Sequence, residues 1–153
     1  MGSIEIEIHN QYCKLKDPYD RTQAICSILE TSQFKLHPGT LSIAFVDDAT
    51  IKKLHEKFLG NPSSTDVITF PGDTSYDLVG EICISVDEAI KNSKTLKTSI
   101  CHEITLYLIH GWLHLFGFDD NNRDKIKTMR KGELDAMKLV QKDASLPDYL
   151  ILQ

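Results

Sequence analysis

The segment Leu106-Tyr107-Leu108-Ile109-His110-Gly111-Trp112-Leu113-His114-Leu115-Phe116-Gly117-Phe118-Asp119-Asp120 reads as the end of a long apolar helix from about Thr98 to Phe116, stopped by Gly117 as its left-handed C′ residue. A helix apolar on nearly every side has to be buried, and a sheet covered by further helices offers such a place. Its apolar stretch from Ile104 to Phe118 is interrupted by His110 and His114. It is also shorter than the roughly 20 residues that a membrane crossing needs. A central buried helix bearing two histidines is therefore the expected heart of the fold.

Upstream, Ile4-Glu5-Ile6-Glu7-Ile8 alternates with period two and predicts a half-buried strand bordering a sheet. From Asp20, an N-cap candidate with Gln23 three positions on, Ala24, Ile25, Ile28 and Leu29 predict a helix ending before the turn His37-Pro38-Gly39. Leu41 to Val46 is a second strand, and Asp47-Asp48 caps a helix carrying Ile51, Leu54, His55 and Phe58 that breaks at Gly60-Asn61-Pro62-Ser63-Ser64. Thr65 to Phe70 and Val79 to Ile84 are two further strands, separated by a turn at Pro71-Gly72-Asp73. Ser85-Val86-Asp87-Glu88 is a capping box opening a helix toward Lys94.

Beyond the apolar helix, a charged one runs from Asn122 to about Gln141 with Ile126, Met129, Leu134 and Met137 as its apolar positions, and the tail from Pro147 to Gln153 is expected to be loose. The expected fold is α+β: a single domain over residues 1–153, with a roughly four-stranded mixed sheet covered by helices.

Composition agrees with this and narrows the function. The chain has 153 residues, 25% of them charged and 41% hydrophobic, which excludes disordered and fibrous classes. The N-terminus lacks the basic flank and apolar run of a signal peptide, so a cytoplasmic protein without a membrane anchor is expected. Cys13, Cys26, Cys83 and Cys101 form no CxxC pair, which leaves small buried hydrophobes as their expected role. The net charge of -5 gives no general attraction to phosphate backbones, so a nucleic-acid role would need a local basic patch.

His110 and His114 lie four residues apart, one helical turn on one face, and can hold one metal ion. After Gly117 a short reversal could bring Asp119 or Asp120 beside both rings as third ligand. Neutral imidazole and carboxylate suit zinc, and three protein ligands leave a fourth position open for catalysis. An ion of this kind acidifies water toward neutral pH, where it can attack a carbonyl or a phosphodiester. The alternative is that these are ordinary helix histidines and that Asp119-Asp120 cap the next helix. Against it, an unpartnered imidazole in so apolar a helix costs free energy. The pattern also invites comparison with zinc proteases of the HExxHxxGxx(H/D) type, in which the glutamate is the general base; here that position is Gly111, which cannot take a proton.

Three motifs then resemble a known family. His110-Gly111-Trp112-Leu113-His114-Leu115-Phe116-Gly117-Phe118-Asp119 is similar to the HGxLHLxGYDH of the YbeY endoribonucleases, Thr65-Asp66-Val67-Ile68-Thr69-Phe70-Pro71 to their TDVLSFP, and Gly80-Glu81-Ile82-Cys83-Ile84-Ser85 to their GDIxIS. The resemblance implies one zinc-type ion on three ligands and single-strand-specific RNA cleavage. It also implies a role in 3′-end maturation of small-subunit ribosomal RNA and in ribosome quality control, with that RNA and the small subunit as partners. His110, His114 and Asp120 are the ligands it implies, since Asp120 occupies the place of the family's closing histidine.

That aspartate is a departure, because its charge offsets the ion's and leaves water less acidic than three imidazoles would. A second departure is Leu59, where the family usually carries an arginine suited to clamp a phosphate. Lys57, Lys91, Lys94, Lys97 and Arg123 are candidates to replace it, each more readily read as a solvated surface charge. Asp66 is a candidate for the wall of the metal cleft, with a strand-end carboxylate making local hydrogen bonds as its alternative. His102 could flank the cleft or be structural, and His9, His37 and His55 have no ligand spacing. A metal-dependent endoribonuclease is the reading favoured, with a zinc peptidase and a ribosome-assembly binding factor of slight nuclease activity as alternatives.

Overall fold

A computed structural model describes residues 2–152. The elements run β1 (Ile4–Asn10), α1 (Tyr19–Glu30), β2 (Gly39–Val46), α2 (Asp48–Leu59), β3 (Val67–Asp73), β4 (Leu78–Ser85), α3 (Val86–Leu96), α4 (Ile100–Phe116) and α5 (Arg123–Gln141). This is the expected α+β order. The four strands form one mixed sheet, β1-β2-β4-β3, in which β1, β2 and β4 are parallel and β3 runs antiparallel along the edge.

Strand alternation divides the sheet between two cores. Leu41, Ile43, Phe45, Ile82 and Ile84 meet α1, α4 and α5 on one face, while Val46, Ile68 and Cys83 meet Ile51 of α2 on the other. Helix α4 lies centrally in the larger core, with Ile104, Leu108, Ile109, Trp112 and Leu113 fully buried. The Trp112 indole N–H donates to the Phe34 carbonyl at 2.8 Å, so the largest buried ring is not left unpaired.

Several local expectations are corrected. Helix α1 begins at Tyr19 behind Pro18 without a side-chain cap, so Asp20 lies in its first turn, favourable to the helix dipole without being the cap. Pro71-Gly72-Asp73 is not a turn but the end of β3; an edge strand tolerates proline, and the reversal falls at Thr74–Tyr76 with Asp77 left-handed at φ 53°. The capping box of α3 is half formed. Ser85 Oγ accepts the Glu88 N–H at 3.1 Å, but the Ser85 N–H goes to the Asp66 carbonyl at 2.8 Å.

On α5, Met129 and Met137 are buried as expected, whereas Ile126 and Leu134 are 42% and 62% exposed; Glu133, Ala136 and Val140 complete the buried stripe. Cys13 is exposed and Cys101 half-buried, so only Cys26 and Cys83 fit the role of buried hydrophobes, and all four are free thiols. The tail is anchored rather than loose. Leu15 bridges Ile151, the Leu152 N–H donates to the Lys14 carbonyl at 2.7 Å, and the buried Tyr149 hydroxyl shares a 2.7 Å hydrogen bond with Thr22. Gln153 falls outside the described residues. No described helix is long and apolar enough to cross a membrane.

Candidate metal centre

The last turn of α4 sets the site. Gly117 ends the helix at φ 122°, a conformation that disfavours other residues, and the Phe118 N–H reaches back to the Leu113 carbonyl at 2.9 Å. The chain reverses there and returns Asp120 to the helix. His110 and His114 stand one turn apart with their Nε2 atoms 3.0 Å from each other, and Asp120 Oδ2 lies 3.4 Å from the first and 3.6 Å from the second. Asp119 lines the adjoining cleft but is not among the three gathered donors, its Oδ1 accepting the Asp120 N–H at 2.8 Å. Of the two carboxylates the reversal made available, the structure gathers Asp120 with the histidines.

These three donor atoms lie within 4.8 Å of one another, close enough to share one ion. The set fits a zinc-type ion by chemistry as well, being two imidazole nitrogens and one carboxylate oxygen. Beside it a cleft of about 470 Å³ is walled by Val67, Thr69 and Pro71 of β3 and by Leu115 and Phe118, with Leu59 at its rim. Leu59 is 62% exposed and offers no donor to an anion.

A family model described as Endoribonuclease YbeY matches residues 5–141. The chain belongs to the YbeY endoribonuclease family. It is 37% identical over 106 residues to the endoribonuclease YbeY of Protochlamydia amoebophila, covering 67% of this chain and 71% of that one. To the protein of the same name from Rhodopirellula baltica it is 36% identical over 105 residues, 67% of this chain but 54% of the relative, so it spans about half that relative's length. The solution structure of TM1509 from Thermotoga maritima superposes with a TM-score of 0.63 over 91% of both chains at 23% identity, which speaks for the fold alone.

Within this YbeY-family site one residue escaped the sequence reading. Glu133 of α5 is buried and sits behind His110, its Oε2 2.6 Å from Nδ1, while its Oε1 accepts from Arg130 Nη1 at 2.7 Å. An ionised carboxylate only accepts, so a His110 proton sits on Nδ1, and in the neutral ring Nε2, the atom facing Asp120 and His114, is the one that can offer a lone pair. Burial alone would lower the His110 pKa, but the hydrogen bond and charge of Glu133, with the charges of Asp66 and Asp120, raise it. Burial pushes Glu133 the other way, and its bonds to His110 and Arg130 hold it below the ordinary carboxylate range. A lone carboxylate on the apolar stripe of α5 was the signal that could have revealed it.

The remaining candidates are dispersed. Asp66 Oδ1 accepts the Val67 N–H at 2.8 Å, and the residue acts on His110 through its charge. His102 lines a separate groove between α4 and α5. His9 and His37 make only local contacts, and His55 Nδ1 is 2.9 Å from the Ser63 carbonyl. Lys57 lies over the Phe58 ring at 5.2 Å, Lys91, Lys94 and Lys97 lie on or cap α3, and Arg123 opens α5. Gly111 packs against the sheet so closely that a Cβ there would stand 2.7 Å from Ile82 Cγ2. The packing that makes α4 central thus leaves no space for the side chain that a peptidase would need.

Proposed function

We propose that residues 1–153 form one metal-dependent, single-strand-specific endoribonuclease domain acting in the cytoplasm. Its role is in 3′-end maturation of small-subunit ribosomal RNA and in ribosome quality control, with the small subunit as partner. The observation that carries this reading is the convergence of His110, His114 and Asp120 at the mouth of a cleft, in a chain whose curated relatives are named endoribonucleases. The three residues hold one zinc ion, through the two Nε2 atoms and Oδ2.

When bound, zinc supplies a positive charge that polarises a phosphate oxygen and acidifies water. His110 presents its lone pair because Glu133 fixes its tautomer. Asp120 offsets part of the ion's charge, and the apolar wall of Val67, Leu115 and Phe118 limits competing water beside it. Gly111 argues against peptide hydrolysis, since no general base can be seated there.

The test sets labelled single-stranded RNA, duplex RNA and casein before the zinc-loaded protein, with and without chelator. Cleavage of the single strand alone, lost on chelation, is expected. Casein hydrolysis lost with chelator and with His114→Ala would overturn the nuclease reading. The exposed Leu59 at the rim favours a second reading, an assembly factor with slight nuclease activity; absence of cleavage together with co-sedimentation with small ribosomal subunits would support it.

A further inference from the structure

A chain with a net charge of -5 has to gather its positive charge locally if it is to hold a polyanion, and it does so on α5. Within Arg123–Gln141 six basic residues face three acidic ones, and of the three Glu133 is buried and Asp135 is paired with Lys131 at 3.1 Å. At 3.6 residues per turn, Arg123, Lys127, Arg130 and Lys138 fall on a single exposed stripe with no acidic residue among them. Leu134, 62% exposed, is the apolar member of that stripe.

The stripe borders a groove of about 360 Å³ between α4 and α5, lined by His102, Leu106, Arg130, Glu133, Leu134 and Met137. Groove and metal centre meet at Glu133, one of whose oxygens faces His110 and the other Arg130. Arg130 makes that single hydrogen bond among the described residues, and its side chain is 66% exposed, so the rest of its fork is open to an outside anion. We infer that the α5 stripe and the α4–α5 groove form a second RNA-binding surface, on which Arg123, Lys127 and Arg130 track the phosphates of a single strand whose base enters the groove against His102 and Leu134.

This rests on the nuclease reading and deepens it, naming what replaces the clamp that Leu59 does not provide. A single strand fits better than a duplex, because apolar and ring surfaces beside a basic track serve unstacked bases. Charge alone would serve an acidic peptide as well; what favours RNA is the ring of His102 and the apolar surface of Leu106, Leu134 and Met137 beside the cations, where an unstacked base can lie.

The experiment measures binding of a short labelled oligouridine to the zinc-loaded protein across a salt series, with zinc affinity recorded in parallel. Arg123→Gln with Lys127→Gln is expected to weaken binding about tenfold at low salt, to flatten the salt dependence by about 0.7 per lost contact, and to raise KM more than it lowers kcat. Lys125→Gln, off the stripe on the same helix, should match wild type. Arg130→Lys should weaken RNA binding while keeping zinc affinity, because the charge stays and the fork is lost.

Wild-type binding and salt slope in the double variant, with RNA still cleaved, would overturn the inference and leave the nuclease reading standing. An equal loss in Lys125→Gln would overturn it too, as a general charge effect. A stronger loss of binding to polyglutamate than to oligouridine would reassign the surface to an acidic peptide. If the zinc-loaded wild type neither binds nor cleaves RNA, the nuclease reading falls and this surface falls with it.

Discussion

Helix α4 carries polar side chains in both of its halves, buried in the first and half-buried in the second, and treats them in opposite ways. In the first half, Glu103 accepts from the Thr98 hydroxyl at 2.8 Å and from the Tyr107 hydroxyl at 3.3 Å, and Tyr107 in turn accepts from Asn92 at 2.8 Å. The Thr105 hydroxyl accepts from Arg21 through Nε at 3.2 Å and Nη2 at 3.0 Å. Each group there has its partner in the protein. In the second half, two imidazole nitrogens and a carboxylate oxygen are turned toward one another, an arrangement of acceptors that only a proton or a cation can reconcile. One helix thus separates buried polar groups that hold the fold from half-buried ones that stay available for chemistry.

If the second half is the metal end, zinc should add stability through these ligands, beyond what the His110–Glu133 hydrogen bond supplies without it. At zinc a thousandfold above Kd, binding adds about 4 kcal/mol to the wild type, and His110→Ala with His114→Ala should remove all of it. Thermal melts with and without chelator measure this. Asp120→Ala should weaken zinc strongly and Asp119→Ala should not; the reverse result would mean that the wrong carboxylate has been assigned.

The first half should behave in the opposite sense. Glu103→Ala leaves the Thr98 and Tyr107 hydroxyls without their acceptor in the core and should cost about 3 kcal/mol in denaturant melts, with zinc affinity unchanged. A fall in zinc affinity comparable to that in the histidine variants would dissolve the distinction between the halves.

Much of this was legible in the chain because the deciding signals were local. The Ile4–Ile8 alternation marks a strand exposed on one side, and HxxxH followed by glycine and two aspartates marks the helix end and brings a carboxylate within reach of both histidines. What stayed hidden depended on contacts distant in sequence. Glu133 meets His110 across 23 positions, and Tyr149 is buried by a bond to Thr22 across 127. Pro71 and Gly72 carry turn chemistry, yet lie on an edge strand whose outer side needs no ladder partner, so their local preference was overridden by their place in the sheet. Leu134 and Ile126 kept helical spacing but face solvent, because α5 turns a narrower stripe to the core than its apolar residues suggest.

A smaller effect probes the border between the halves, where Glu133 supports His110 from behind. Glu133→Gln keeps the shape and an acceptor for Nδ1–H but removes the charge. Zinc affinity should fall roughly 10–100-fold, or about 1.4–2.7 kcal/mol, with Asp120 and His114 still in place. Isothermal titration with zinc reads this directly, and an unchanged affinity would show that Glu133 serves the fold rather than the centre.

The smallest expected effect is a gain. Leu59 stands exposed at the rim of the cleft that His110 and His114 open into, and it carries no group able to bind a phosphate. Leu59→Arg places a fork there that can donate two hydrogen bonds to phosphate oxygens. One charge-assisted contact of this kind is worth about 1.5–3 kcal/mol when fully formed, and a rim position open to water should realise the lower end, roughly tenfold in RNA binding. The gain should shrink as salt rises, and zinc content should not change, because the substitution touches no ligand. If Leu59→Arg binds and cleaves single-stranded RNA no better than wild type at low salt, the backbone does not pass over this rim. The second half of α4 would then be met by substrate from the α5 side, where Arg130 already stands against Glu133.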